Sequence, residues 1–430
     1  MVKKFATECE GRTILSGARI SQAMSQQLAP IVSAEQRLAG RTILQIVPDL
    51  QSGGAERATV DVAEALSRVG ARCLVASRGG RMVSELQSKG GVWAPFPAAT
   101  KNPFAMALNS VQLARIISDE GVDIVHARSR APAWVAYYAA RQTGAKLVTT
   151  YHSAYRGTSP IKQRYNAIMA AGDAVIAISE FAARRIQELH PECAARVVVV
   201  PRGADLRAFS PTAVDQRRVE RLRAEWGMAP YDRVVLLPSR LSARKGHAVL
   251  IEAAKRLIKE GFSDLRVVFV GDPHSESFRC AIETQIERAG LRGVVRNAGY
   301  CEDMPAAYLA AAVIVAPATE PEAFGRIAVE AQAMGAPAII SDIGAAPEII
   351  LAPPQTPRHL ATGWRTPPGD PVALAEAIAE ALTMKASARD ELALRARKNI
   401  LERFSVEEMQ RATLAVYERL LGLSPPDLPG

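Results

Sequence analysis

No apolar stretch of roughly 18 residues or more occurs in these 430 residues, so none of them reads as a membrane-spanning helix. The longest apolar run, Tyr308 to Ala318, is too short and reads as a helix end followed by a buried strand. Lys3 and Lys4 stand near the amino terminus with no apolar signal core behind them, which points to the cytoplasm. The five cysteines, Cys9, Cys73, Cys193, Cys280 and Cys301, form no Cys-x-x-Cys pair. Scattered in this way they read as reduced packing thiols and give no support to a metal site. Aromatic residues make up only 5%, and no basic stretch alternates with them, which argues against nucleic acid as a partner. The net charge of +9 then leaves an anionic membrane surface, a phosphorylated small molecule, or arginines merely spread over a soluble protein. Two phosphate-binding signatures are missing as well. There is no Gly-x-x-x-x-Gly-Lys loop and no Gly-x-Gly-x-x-Gly fingerprint, which disfavours a P-loop enzyme and a dinucleotide-dependent dehydrogenase.

What is present is a regular alternation. Hydrophobic residues at 48% and charged residues at 23% are a globular composition, and the length suits two domains of roughly 150–200 residues. Residues 1–40 lack strong periodicity and read as an N-terminal extension. From Arg41 short β-branched runs (TILQIVP, ARCLVA, VDIVH, AKLVTT, DAVIAIS, RVVVVP) alternate with helical patterns such as Glu56–Val69, which carries Val62, Leu66 and Val69 at helical spacing. A polar stretch from Ser210 to Asp232 breaks the rhythm. It then restarts with RVVLLP, a helix over His247–Lys259, and the strands LRVVFVG, VVRNAG, VIVAPA and PAIIS. Strand–helix alternation predicts parallel sheets covered by helices. The expectation is an α/β chain with two doubly wound Rossmann-like domains, over 41–215 and 216–404. A C-terminal helix and tail follow over 405–430, with the last helix packing back across the first domain.

Open parallel sheets bind ligands at the carboxyl ends of their strands, so the loops that follow strands are the places to look. The first holds Ser52-Gly53-Gly54-Ala55-Glu56, either a tight turn or a backbone cradle for an anion at a helix N-terminus. The second holds Arg240, Arg244 and Lys245 just before a helix, an unfavourable placement for cations unless an anion sits there. The third runs from Thr319 through Glu322, Phe324 and Gly325 into a helix over Ile327–Met334 that carries Glu330. Eight residues of helix span about 12 Å, so the two carboxylates suit two hydroxyl-bearing parts of one extended ligand. Glu330 lies in IAVEAQAM, and a glutamate among so many apolar neighbours needs a partner or a pocket.

These residues resemble a known family. EAFGRIAVEAQAMGAPAIISD is similar to the donor-site signature of retaining, GT-B-fold glycosyltransferases of family 4, whose hallmark is two glutamates separated by seven residues. SRLSARKG resembles the family's arginine–lysine phosphate loop, SGGAE its glycine loop, and PRGADLRAFSP its interdomain segment. In that last motif the family usually places asparagine where this chain has Arg202, so no role passes to that position. The resemblance implies a GT-B fold and transfer of a hexose from a sugar nucleotide to a glycan or glycolipid with retention, as in lipopolysaccharide synthesis. It implies that Glu330 binds the ribose hydroxyls and Glu322 meets the donor sugar near the reacting centre. Phe324 and Gly325 complete that loop, Arg240 and Lys245 neutralise the diphosphate, and Gly53 and Gly54 close on it from the first domain. His152, at the carboxyl end of a strand, matches a histidine beside donor sugar and acceptor; His126, ending VDIVH, has a similar position and reads equally as a site or a packing residue. With no Asp-x-Asp in the chain, fixed cations take the place of a metal ion, and no cofactor is expected beyond the donor itself. The competing reading is a sugar-nucleotide-binding protein that kept the fold and lost activity.

The family implies one further partner, the anionic inner face of a membrane. Arg156, Lys162 and Arg164 flank Ile161, Tyr165, Ile168 and Met169, which fall close to one helical face. Such a helix either touches anionic lipid or packs on the sheet.

Overall fold

The protein is described here by a computed structural model covering residues 37–51, 53–152 and 159–423. Ser52, Arg156 and nearly all of the expected 1–40 extension lie outside the described residues.

Near-continuous Val/Ile/Leu runs make strands that are buried on both faces, the mark of a parallel sheet covered on two sides. The first sheet holds β1 (Thr42–Ile46), β2 (Arg72–Ser77), β3 (Val92–Pro95), β4 (Ile124–Ala127), β5 (Lys146–Tyr151), β6 (Ala174–Ala177) and β7 (Val197–Val199). They lie in the order β3-β2-β1-β4-β5-β6-β7, every pair parallel. The second holds β8 (Arg233–Pro238), β9 (Leu265–Val270), β10 (Val295–Gly299), β11 (Val313–Ala316), β12 (Ala338–Ser341) and β13 (Trp364–Thr366), in the order β10-β9-β8-β11-β12-β13. Alternate residues of one strand feed opposite faces. Val234 and Leu236 enter the core under one helical layer, Val235 and Leu237 the core under the other. Both sheets are doubly wound, as the alternation predicts.

The chain order reverses between β1 and β4 in the first sheet and between β8 and β11 in the second. Loops leaving the carboxyl ends of two such strands run to opposite sides and open a crevice there. The loops after β1, β8 and β11 are those singled out in the sequence.

The polar stretch 210–232 is not merely a linker. It contains a helix, Gln216–Glu225, whose Val219 and Leu222 enter the second domain's core. The last helix, Val406–Leu420, returns to the first domain. Its Met409, Val416 and Tyr417 join Val60, Val62 and Leu66 of the helix Gly54–Arg68 in one core. Each large apolar side chain so buried contributes about 1.5–3 kcal/mol. Gln410 Nε2 also donates to the Asp61 carbonyl at 2.6 Å. Among the described residues no helix is long and apolar enough to cross a membrane.

Of the residues proposed to face lipid, three turn inward. Ile168 and Met169 are buried and Tyr165 is half-buried, so this helix end packs on the sheet; only Ile161 is exposed, at 84%. A different helix carries an uncovered apolar stripe. Over Pro103–Asp119, Phe104 (85% exposed), Leu108 (73%) and Val111 recur at helical spacing on the face opposite Leu113 and Ile117.

Candidate functional site

The loop after β8 ends in Gly246, and its conformation explains the position of Lys245. Gly246 has φ 77°, and a Cβ there would fall 1.7 Å from the Pro317 carbonyl oxygen. Only glycine lets this loop press against the one after β11, and Thr319 N–H donates to the Arg244 carbonyl at 3.0 Å across the seam. The two loops are thereby joined at the switch point, and Lys245 Nζ forms an ion pair with Glu322 Oε1. Arg240, two residues past β8, is exposed and enters no ion pair among the described residues.

Glu322 is followed by Ala323 and Phe324, which reach the first domain's core. Gly325 then caps the helix Arg326–Ala333 without a side-chain hydrogen bond, so its first amides are uncovered. Glu330, one turn further, is only 6% exposed. It has the partners its apolar surroundings demand: Tyr308 Oη donates to Oε2 at 2.7 Å and Arg326 Nε to Oε1 at 2.6 Å. Burial, reinforced by the adjacent carboxylate, holds the Tyr308 hydroxyl well above its usual range, so it stays a donor. Glu330 holds the Arg326 guanidinium above its usual value in turn.

In the first domain, Gly53 caps the helix Gly54–Arg68, again with no side-chain hydrogen bond. His152 directly follows β5, and Arg202 Nη2 lies 2.8 Å from its Nδ1. His126 does not reach the crevice. It is fully buried in β4, with Nδ1 2.6 Å from Tyr417 Oη and Nε2 2.6 Å from Thr150 Oγ1, so both ring nitrogens are used inside the core. His247 is buried edge-on against Phe269 at 4.9 Å.

The two domains face each other across a cleft. This cleft of about 650 Å³ is lined by Gly53, Gly54 and Arg202 from one side and Phe324, Arg326 and Glu330 from the other. Glu322 and Gly325 line a smaller recess that runs toward Ser341 at the end of β12. Beyond the cleft, Glu348 accepts from the Glu180 and Phe181 amides at 2.7 and 2.6 Å. A second-domain carboxylate thus caps a first-domain helix, and the macrodipole favours the contact.

Sequence reasoning missed Tyr308, Arg326, Glu348 and the Arg202–His152 contact. Only the need for a partner at Glu330 was visible. It also missed Asp61, which lines the cleft and is pushed up to about 6 by burial.

Two family models match this chain: Glycosyltransferase Family 4 over residues 52–208 and Glycosyl transferases group 1 over 218–400. A crystal structure of a glycosyltransferase from Rickettsia africae superposes with a TM-score of 0.80 at 33% identity, covering 89% of this chain and 99% of that one. The chain belongs to glycosyltransferase family 4. Its fold is accordingly GT-B, with two Rossmann-like domains. A curated relative, the D-inositol 3-phosphate glycosyltransferase of Nocardia farcinica, is 33% identical over 182 residues, 41% of this chain and 39% of that protein. The match therefore spans well under half of that relative's length. An Anabaena protein, HepE, solved with UDP and glucose, shares the fold at TM-score 0.74 and 22% identity, covering 87% of this chain and 99% of that one. In this family 4 chain the paired glutamates sit on the segment that joins the recess to the cleft.

Proposed function

We propose that this chain is a retaining hexosyltransferase that takes a sugar from a nucleoside diphosphate donor and adds it to a glycan or glycolipid of the cell envelope. The observation that carries the reading is the pairing of Lys245 with Glu322 beside a buried, partnered Glu330, on loops that meet at the switch point. The Anabaena neighbour solved with UDP and glucose supports a donor of this class.

The chemistry follows from charge. Cleavage of the bond between sugar C1 and the diphosphate oxygen leaves negative charge on the phosphate. Lys245, Arg240 and the uncovered amides after Gly325 oppose it where it develops. Gly53 and Gly54 offer amides from the other wall. Glu322 sits beside the developing positive centre and is not assigned as a nucleophile. Fixed cations fill the part that a divalent ion plays elsewhere, so transfer proceeds without added metal.

The test is a thermal-shift panel of UDP, GDP and ADP sugars, followed by turnover of the donor that binds. A ligand at about 100 times its Kd adds about 2.7 kcal/mol of stability. A flat panel with all three bases sinks the reading.

The acceptor side extends the proposal to an anionic membrane surface. The exposed stripe of Phe104, Leu108 and Val111, preceded by Lys101, is the surface we assign to it. A Phe104→Ser, Leu108→Ser double variant is expected to sediment with anionic vesicles about tenfold less than the parent. Equal sedimentation removes the membrane from the proposal.

A further inference from the structure

We infer that Arg202 is a positioning residue that holds His152 as a neutral hydrogen-bond donor, with its proton on Nε2, so that His152 offers an N–H to a ligand oxygen and does not act as a base.

The contact itself fixes the tautomer. A guanidinium has five N–H donors and no acceptor, so the Arg202 Nη2 contact of 2.8 Å requires an unprotonated Nδ1 on His152. The ring's proton then lies on Nε2, and that atom is buried with no hydrogen-bond partner among the described residues. A buried donor left open in this way is an unusual cost, and it is met when a ligand oxygen arrives. Protonating the ring instead would place two donors against each other at 2.8 Å.

The surroundings favour the same state. Among the described residues, the charged and titratable groups facing the ring are Arg202 from the segment after β7, Arg128 from the end of β4, and His126 within β4. Arg128 is itself buried and held by Gln45 Oε1 at 2.9 and 2.7 Å, so it cannot swing away. Glu56 is an acid that interacts electrostatically with Arg202. Burial, followed by Arg202 and then Arg128, holds His152 well below the usual histidine range.

Arg202 is placed by the glycine loop. A Cβ on Gly54 would lie 2.2 Å from Arg202 Nη1, so the guanidinium rests on a backbone that carries no side chain. The same arginine lines the interdomain cleft with Gly53, Phe324, Arg326 and Glu330. The ligand that this pair suits is rich in oxygen and negatively charged, a sugar hydroxyl on Nε2 beside a phosphate on the arginine. That identification rests on the sugar-nucleotide reading; the tautomer does not.

The tautomer can be measured with no substrate present. Protein labelled with ¹⁵N-histidine is followed by two-bond ¹H–¹⁵N correlation from about pH 5.5 to 8.5, where an ordinary histidine changes charge. A His152→Gln variant assigns the signal. The parent should show protonated Nε2 and bare Nδ1 throughout. Arg202→Met, which removes the donor, should mix the tautomers and bring the titration into the window. Arg202→Gln, whose amide still donates, should keep the Nε2–H form. A parent signal that titrates normally or carries its proton on Nδ1 overturns the inference, as does an Arg202→Met spectrum identical to the parent; should Arg202→Met not fold, the parent spectrum alone decides. In turnover, the acid limb attributable to His152 should be absent in the parent and present in Arg202→Met. A chain that turns over no donor counts against the functional reading and leaves the tautomer result standing.

Discussion

Glu330→Gln should weaken binding of the donor nucleotide by about 10- to 100-fold while the protein stays folded. An ionised carboxylate offers about four lone-pair positions. Tyr308 takes one at 2.7 Å and Arg326 takes another at 2.6 Å, which leaves two for a pair of ribose hydroxyls. Hydrogen bonds to a charged acceptor contribute about 1.5–3 kcal/mol each, and glutamine forfeits the charge on both. It also turns an NH2 toward either the tyrosine hydroxyl or the guanidinium. With the amide oxygen kept on Arg326 Nε, the NH2 faces Tyr308 and donates to its hydroxyl oxygen, and the tyrosine's own proton loses the carboxylate that accepted it. Because glutamine keeps the shape, the loss of stability should stay near about 1–2 kcal/mol rather than the larger cost of an unpaired buried charge. Calorimetric titration of the nucleoside diphosphate against parent and variant reads the effect directly. Affinities within twofold of each other would remove Glu330 from the donor site.

The sequence made the alternation legible because parallel strands and amphipathic helices have distinct periods, and here both are strong. The helix His247–Lys259 and the strand Arg233–Pro238 fall where the pattern places them. Two strands were not legible. β3 reads VWAP and β13 reads WRT, and both are short strands at sheet edges. The other two edge strands, β7 and β10, begin on runs of valine, whereas β3 and β13 carry no β-branched run and so leave little pattern. The helix Gln216–Glu225 was hidden for a related reason. It buries only Val219 and Leu222 beneath a face of arginines and glutamates, and its composition reads as a linker.

The site divides along the same line. Residues carried on the loops after strands were visible, since Glu322, Lys245 and Gly53 combine unusual chemistry with a telling place. What joins them was not. Tyr308 lies 22 residues before Glu330 and Arg202 lies 50 after His152, and no spacing rule links such pairs. His126 is a position where the sequence left both readings open. A histidine ending a strand looks like a site residue, yet Tyr417 from the last helix, 291 residues on, seals it.

Lys245→Met should lower kcat by about 10²- to 10³-fold and raise the donor KM far less, because its charge matters most when the diphosphate leaves. Lys245 is paired with Glu322, so part of its charge is spent on holding that carboxylate in place. The methionine variant therefore does two things. It removes the cation from the leaving group, and it leaves Glu322 uncompensated beside an anionic donor. The second effect is relieved when Glu322 is neutralised as well. Lys245→Met with Glu322→Gln should then cost less than the product of the two single losses, as coupled neighbours do. A purely structural ion pair predicts a different pattern, in which melting temperature falls and turnover of the folded fraction is preserved. Gly246 ties the two behaviours together. A side chain there would drive the loop off Pro317 and carry Lys245 away from Glu322, so Gly246→Ala should reproduce the kcat loss with both charged groups still present.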